Sequence, residues 1–184
     1  MHSMFISLPD ADYSWYATYT HPRHEKTVAQ QLDCKGVEVF CPTFSFESRR
    51  RDRKVQIKAP LFPGYVFTKI CLSQRSLILS APGVIRIVSA NGRPVPIPVA
   101  EIEAVRLCVA EAAARLERHS LVDGGKLVRV RTGQFAGLEG KVVCHHDRTC
   151  KIFVSIAAIQ QAVALELDSD CLEPIANSDS SSIV

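Results

Sequence analysis

Pro60-Leu61-Phe62-Pro63-Gly64-Tyr65-Val66-Phe67 decides how this chain is read. The two prolines fix the backbone on the way in, Gly64 frees it, and Tyr65 to Ile70 has the aromatic and β-branched content of a strand. Alternation sends Tyr65 and Phe67 to one face and Val66 and Ile70 to the other. One face can pack a core. The other either offers two aromatics to a partner or is itself covered by helices.

Upstream, Ser14 to Thr20 reads as a first strand. Pro22 suits the first turn of a helix over 22–35, with Val28, Ala29 and Leu32 as its apolar stripe and Gly36 as its C-terminal cap. Val37 to Cys41 is a second strand. Thr43 to Ala59 then reads as a hairpin whose tip carries Arg49, Arg50, Arg51, Arg53 and Lys54. Such a charge run is either a solvated loop or a sequence-blind contact with phosphate.

Downstream, Leu72 to Ser80 is a short helix stopped by Pro82-Gly83, and Val84 to Val88 another strand. Asn91-Gly92 is a turn signal, and prolines 94, 96 and 98 keep the next link extended. Glu101 to His119 reads as a helix with Ile102, Val105, Val109, Ala112 and Leu116 on one face. From Lys126 the pattern is all strand, punctuated by Gly133, Gly137 and Gly140 and by His145-His146-Asp147-Arg148, as in a small five-stranded barrel. The expected fold class is α+β. An N-terminal α/β sandwich, with an antiparallel sheet of about four strands flanked by helices, precedes a C-terminal SH3-like barrel. The expected boundaries are 13–119 and 125–175, joined by a linker at 120–124 that reaches about 18 Å when extended. Tails at 1–12 and 176–184 are expected to be disordered.

Composition narrows the function. The 184 residues are 47% hydrophobic and 22% charged, the range of an ordinary globular chain. No apolar run reaches the 18 or so residues of a membrane span, and residues 1–12 lack the basic and apolar regions of a secretion signal. The expected location is cytoplasmic, with no membrane partner. The seven cysteines are scattered and never spaced Cys-x-x-Cys, which argues against a disulfide framework and against zinc. No metal or cofactor is expected. A nucleophile elbow, a phosphate-binding loop and a His-Glu-x-x-His helix are all missing, so the chain is expected not to be an enzyme. Residues 1–119 hold 16 Lys and Arg against 11 Asp and Glu, whereas 120–184 hold 6 against 8. Contact with nucleic acid is therefore expected of the first part.

Together these motifs resemble the bacterial NusG family of transcription elongation factors. Trp15-Tyr16, the Pro60-to-Phe67 stretch, Gly83-Val84 and Ile97-Pro98 match its NGN module. Val128-x-Val130-x-x-Gly133-x-Phe135-x-Gly137-x-x-Gly140-x-Val142 matches its KOW module, with Gln134 where the family usually has proline. The first helix and the basic hairpin are more similar to the specialised RfaH-like and UpxY-like members. The resemblance implies a transcription elongation and antitermination factor that binds the clamp helices of RNA polymerase and suppresses pausing or termination at specific operons. It implies a polymerase surface of Phe62, Tyr65, Phe67 and Ile87, with Tyr65 and Phe67 projecting from the outer face of the central strand and Ile87 beside them on a neighbouring strand. Nucleic-acid contacts to non-template DNA would come from His21, Gln31 and Lys35, on the exposed face of the first helix, and from Arg49, Arg50 and Arg51. Phe135, in a loop beyond the barrel core, would either anchor a NusE-type ribosomal protein or Rho or plug the end of the barrel. The chain is expected to act as a monomer. The competing reading is a ribosomal or other RNA-binding KOW protein, which would carry a strongly basic barrel where this one is negative on balance.

Overall fold

The computed structural model describes residues 13–50, 53–112, 116–120, 125–144 and 149–175. Both tails, Arg51 at the hairpin tip and the His145-to-Arg148 turn lie outside the described residues. In chain order the first part holds β1 (Ser14–Thr20), α1 (Glu25–Asp33), β2 (Glu38–Phe40), β3 (Thr43–Arg50), β4 (Arg53–Pro60) and β5 (Tyr65–Ile70). A 3-10 turn at Leu72–Gln74 leads into α2 (Arg75–Leu79), then β6 (Val84–Ile87), β7 (Ser89–Ala90), β8 (Arg93–Pro94), β9 (Pro96–Ile97) and α3 (Val99–Ala112). The second part holds β10 (Glu117–Ser120), β11 (Lys126–Val130), β12 (Glu139–Cys144), β13 (Thr149–Ile156), β14 (Gln161–Asp168) and β15 (Leu172–Pro174).

Among the described residues the first sheet runs β2-β5-β1-β6, with β9 also on β1, and every pairing is antiparallel. β1 is central because its alternation serves two cores. Tyr16 joins Val28, Leu32, Ile70, Ile78 and Ile87 on the face covered by α1 and α2. Trp15 and Ala17 join Phe62, Phe67 and Ile97 on the face covered by α3. On the same face as Tyr16, Thr18 and Thr68 share a buried hydroxyl contact of 3.2 Å, which satisfies two polar groups the sheet would otherwise strand.

Several turns follow from local chemistry. The Tyr65 amide donates to the Phe62 carbonyl at 3.1 Å across Pro63-Gly64, and Gly64 has φ +81°, the geometry of a type II turn. Asn91 and Gly92 both have positive φ and join β7 to β8, as a two-residue hairpin turn requires. α1 begins later than expected: Pro22 sits in the preceding turn, where Arg23 adopts φ +66°, and His24 is the N-cap.

The second sheet runs β10-β14-β13-β12-β11-β15. Its last five strands are the expected barrel, but β10 is a correction. The helix read over 101–119 ends at Ala112, and Glu117 to Ser120 pair instead with Gln161 to Ala164. An open strand edge supplies ladder hydrogen bonds that outweigh the weak helical preference of this segment. α3 is apolar around most of its circumference, and it sits between two apolar bodies. Ile102, Val105 and Cys108 belong to one continuous cluster that runs from Trp15 and Phe67 to Val128, Ile152 and Val163 of the barrel. α3 packs against β13 and β14, and Glu101 Oε2 accepts the Ala157 amide at 3.1 Å.

Candidate functional site

The turn at Pro63-Gly64 places the aromatic end of β5. Register sets Tyr65 opposite Tyr19, and Tyr19 opposite Arg86. The Tyr19 and Tyr65 rings lie 5.2 Å apart, and the Arg86 guanidinium stands 5.6 Å from the Tyr19 ring centre. Tyr65 is half-buried and Arg86 exposed, so this row of two rings and one cation reaches the surface.

Three expected polymerase contacts are placed differently. Phe62 and Phe67 are 1% and 0% exposed and pack edge to face at 5.5 Å. They are core residues beneath the surface row, because α3 covers the face that alternation left open. Ile87 is 4% exposed and pairs with Thr18, on the α1 face with Val28 and Ile70. The neighbour of Tyr65 across β1 is therefore Arg86, a register detail that strand alternation within one segment does not reveal.

Glu25 is the residue that sequence reasoning missed. Its Oε1 accepts the Gly64 amide at 2.7 Å, and the side chain is only 4% exposed. An acidic residue in the first turn of α1 is thus fastened to the turn that starts β5. Beside this contact a cavity of about 460 Å³ is lined by Tyr19, Pro63, Gly64, Arg23, Lys26 and Arg118. Arg118, from β10, also stands 5.1 Å from the Phe44 ring centre at the base of the β3–β4 hairpin. On α3, Arg106 lies over Trp15 and Phe40 at 5.3 and 4.9 Å and pairs with Glu38 at 3.4 Å.

The expected nucleic-acid residues do not form one contact cluster. His21 and Lys35 are exposed, and the His21 ring meets His24 edge-on at 5.9 Å. Gln31 is a correction: it is half-buried, with Oε1 shielded and lacking a hydrogen-bond partner. It follows buried Val28 by three residues, which puts it on the border of the apolar stripe. Arg49 and Arg50 end β3 opposite Lys54 and Arg53.

Phe135 takes the plugging place and not the loop-surface one. The loop after β11 folds back on itself: Gly137 donates to Val130 at 2.8 Å and Leu138 to Phe135 at 3.0 Å. Phe135 is thereby tucked into the barrel cluster, 4% exposed. Burying a phenylalanine is worth about 2–3 kcal/mol, enough to draw the side chain inward once the loop is that tight. Among the described residues no group of His, Cys, Asp and Glu could hold a metal, and no helix is long and apolar enough to cross a membrane.

Comparison with known proteins agrees with this architecture. The family model described as transcription termination factor nusG matches residues 13–106. The chain is 28% identical over 171 residues to the transcription termination/antitermination protein NusG of Yersinia pestis, spanning 86% of this chain and 94% of that protein. It is 27% identical over 172 residues to NusG of Escherichia coli strain K12, with the same coverage of 86% and 94%. A solved structure entitled "Domain interaction in Thermotoga maritima NusG" has the same fold, with TM-score 0.53, 23% identity, and 90% and 98% of the two chains covered. The family match covers just over half of the chain and places it among transcription termination/antitermination factors, which are not enzymes. The chain belongs to the NusG family.

Proposed function

We propose that this chain is a transcription elongation and antitermination factor that binds the clamp helices of RNA polymerase and suppresses pausing or termination at specific operons. It acts in the cytoplasm as a monomer. The first part, through α3, forms the polymerase-binding module, and residues 125–175, with β10 added to their sheet, form a KOW module that recruits a NusE-type ribosomal protein or Rho. The observation that carries the reading is the Tyr19–Tyr65–Arg86 row, an aromatic and cationic surface held at the end of a central strand. Tyr65 makes the contact, and buried Phe62 and Phe67 hold it in place. Aromatic and arginine anchors of this kind dominate interface energies. No chemistry is needed: a factor that binds the closed clamp ten times better than the open one biases it by about 1.4 kcal/mol.

Non-template DNA is met by the exposed His21 and Lys35 with Gln31, and Arg49, Arg50 and Arg51 add sequence-blind, salt-dependent affinity. The test is polymerase binding by the Tyr65→Ala variant. An affinity at least tenfold lower, with an unchanged melting curve, supports the surface. Wild-type binding by the folded variant overturns it.

A further inference from the structure

The cavity beside the Glu25–Gly64 contact is built from both parts of the molecule. Its volume of about 460 Å³ lies in the range of small-molecule sites, about 300–1,000 Å³, which favour the seams between domains. Tyr19, Pro22, Pro60 and Pro63 give it apolar walls. Arg23 enters from the turn before α1, Lys26 from the first turn of α1, and Arg118 from β10 in the barrel's sheet.

Charge narrows what such a cavity can hold. Three cations share the lining with one carboxylate, and Glu25 is already committed through Oε1 to the Gly64 amide. Among the described residues none of Arg23, Lys26 and Arg118 belongs to an ion pair. Lys26 donates only a 3.4 Å bond to the Lys58 carbonyl, and Arg118 stands over the Phe44 ring. Thr20, in the same lining, is fully buried, and its hydroxyl has no hydrogen-bond partner among the described residues, a second sign of polar capacity that the protein's own groups leave unused. Like charges grouped around a low-dielectric cleft concentrate counter-ions there.

A bare anion would leave the proline and tyrosine walls without a partner. We propose that this cavity binds a small nucleoside phosphate, its base against the prolines and its phosphate on Arg23, Lys26 and Arg118. Guanidinium groups suit phosphate bidentately, and lysine adds a point charge. Because the cations come from both α1 and β10, the ligand favours the docked arrangement of the two parts over a separated one.

The probe is ADP, titrated by calorimetry into the free full-length chain, so the outcome does not depend on polymerase binding. An equimolar complex that weakens with added salt is expected. Adenosine and inorganic phosphate should each bind at least about tenfold more weakly, since each meets only part of the site. Lys26→Gln and Arg118→Gln should each weaken ADP binding about tenfold. Arg75→Gln and Arg93→Gln remove exposed cations outside the cavity and should leave it unchanged. Saturating ADP should slow amide exchange along β10, and Arg118→Gln should abolish that protection. The proposal is overturned if ADP does not bind, if the control variants weaken it as much as the cavity variants, if inorganic phosphate binds as tightly as ADP, or if a single-stranded oligonucleotide is preferred to ADP.

Discussion

The carboxylate of Glu25 accepts the Gly64 amide at 2.7 Å, buried between the first turn of α1 and the turn that launches β5. Two segments 39 residues apart are joined by a single charge-assisted hydrogen bond. Glu25→Ala leaves the Gly64 amide without its partner and should cost about 2 kcal/mol in chemical denaturation. Glu25→Gln keeps an acceptor oxygen and should lose less. If Glu25→Ala unfolds at the wild-type midpoint, the bond contributes nothing to stability.

Two glycines are required for different reasons. At Gly64, φ is +81° and an added Cβ would lie 3.1 Å from Tyr19 Cε2, so Gly64→Ala should cost about 1–2 kcal/mol and disturb the Tyr19–Tyr65 pair. At Gly140 the obstacle is space, since a Cβ would come within 2.6 Å of Ile152 Cγ2 and 2.8 Å of the Phe153 carbonyl oxygen. Gly140→Ala should therefore destabilise the barrel more than Gly64→Ala destabilises the first sheet. Native-state amide hydrogen exchange, read across β12 and β13 for Gly140→Ala and across β1 and β5 for Gly64→Ala, would rank them.

Phe135→Ala opens a cavity in the barrel, with an expected cost of about 3–5 kcal/mol. The loop itself, held by Gly137-to-Val130 and Leu138-to-Phe135 hydrogen bonds, should keep its amide protection only where the barrel stays folded. A melting temperature within a degree or so of wild type would return Phe135 to the surface as a partner contact.

Glu101 is raised above its ordinary value of 4.5, chiefly by burial against the barrel and only partly offset by the Ala157 amide. Because the folded value exceeds the unfolded one, its contribution is fully present below about pH 4.5 and is lost as pH rises through the raised value. The difference in melting temperature between wild type and Glu101→Gln should change across that window, with Glu101→Gln gaining relative to wild type toward neutral pH. A difference that stays flat with pH would remove Glu101 from the contact between α3 and β13.

Much of the architecture was legible because local chemistry and global packing agree. The Ser14–Thr20 and Tyr65–Ile70 strands, the Asn91-Gly92 turn and the alternation of the barrel each carry a short-range signal that the structure keeps. The misreadings are all tertiary. Leu116 to His119 continue a helical pattern in the sequence because nothing within the segment announces the open edge of β14. Phe62 and Phe67 look free in the sequence because the residues that share their cluster, Ile102 and Val105 of α3, lie far along the chain. The face of Ile87 depends on cross-strand register, which pairs it with Thr18 and sets Arg86 beside Tyr19. Glu25 gave no signal, since its partner is a backbone amide.

The pairing of β10 with β14 changes what connects the two sheets. With Glu117 to Ser120 built into the barrel's own sheet, the two parts are connected through the stretch between Ala112 and Leu116, a length of chain that could not exceed about 15 Å at full extension. A barrel that separates from α3 thus stays within one molecular diameter of it. Redocking is then unimolecular, at an effective concentration on the order of millimolar. Any external ligand for the α3 face competes with that resident neighbour, and its apparent affinity reports the local encounter frequency of the barrel as much as its own contacts.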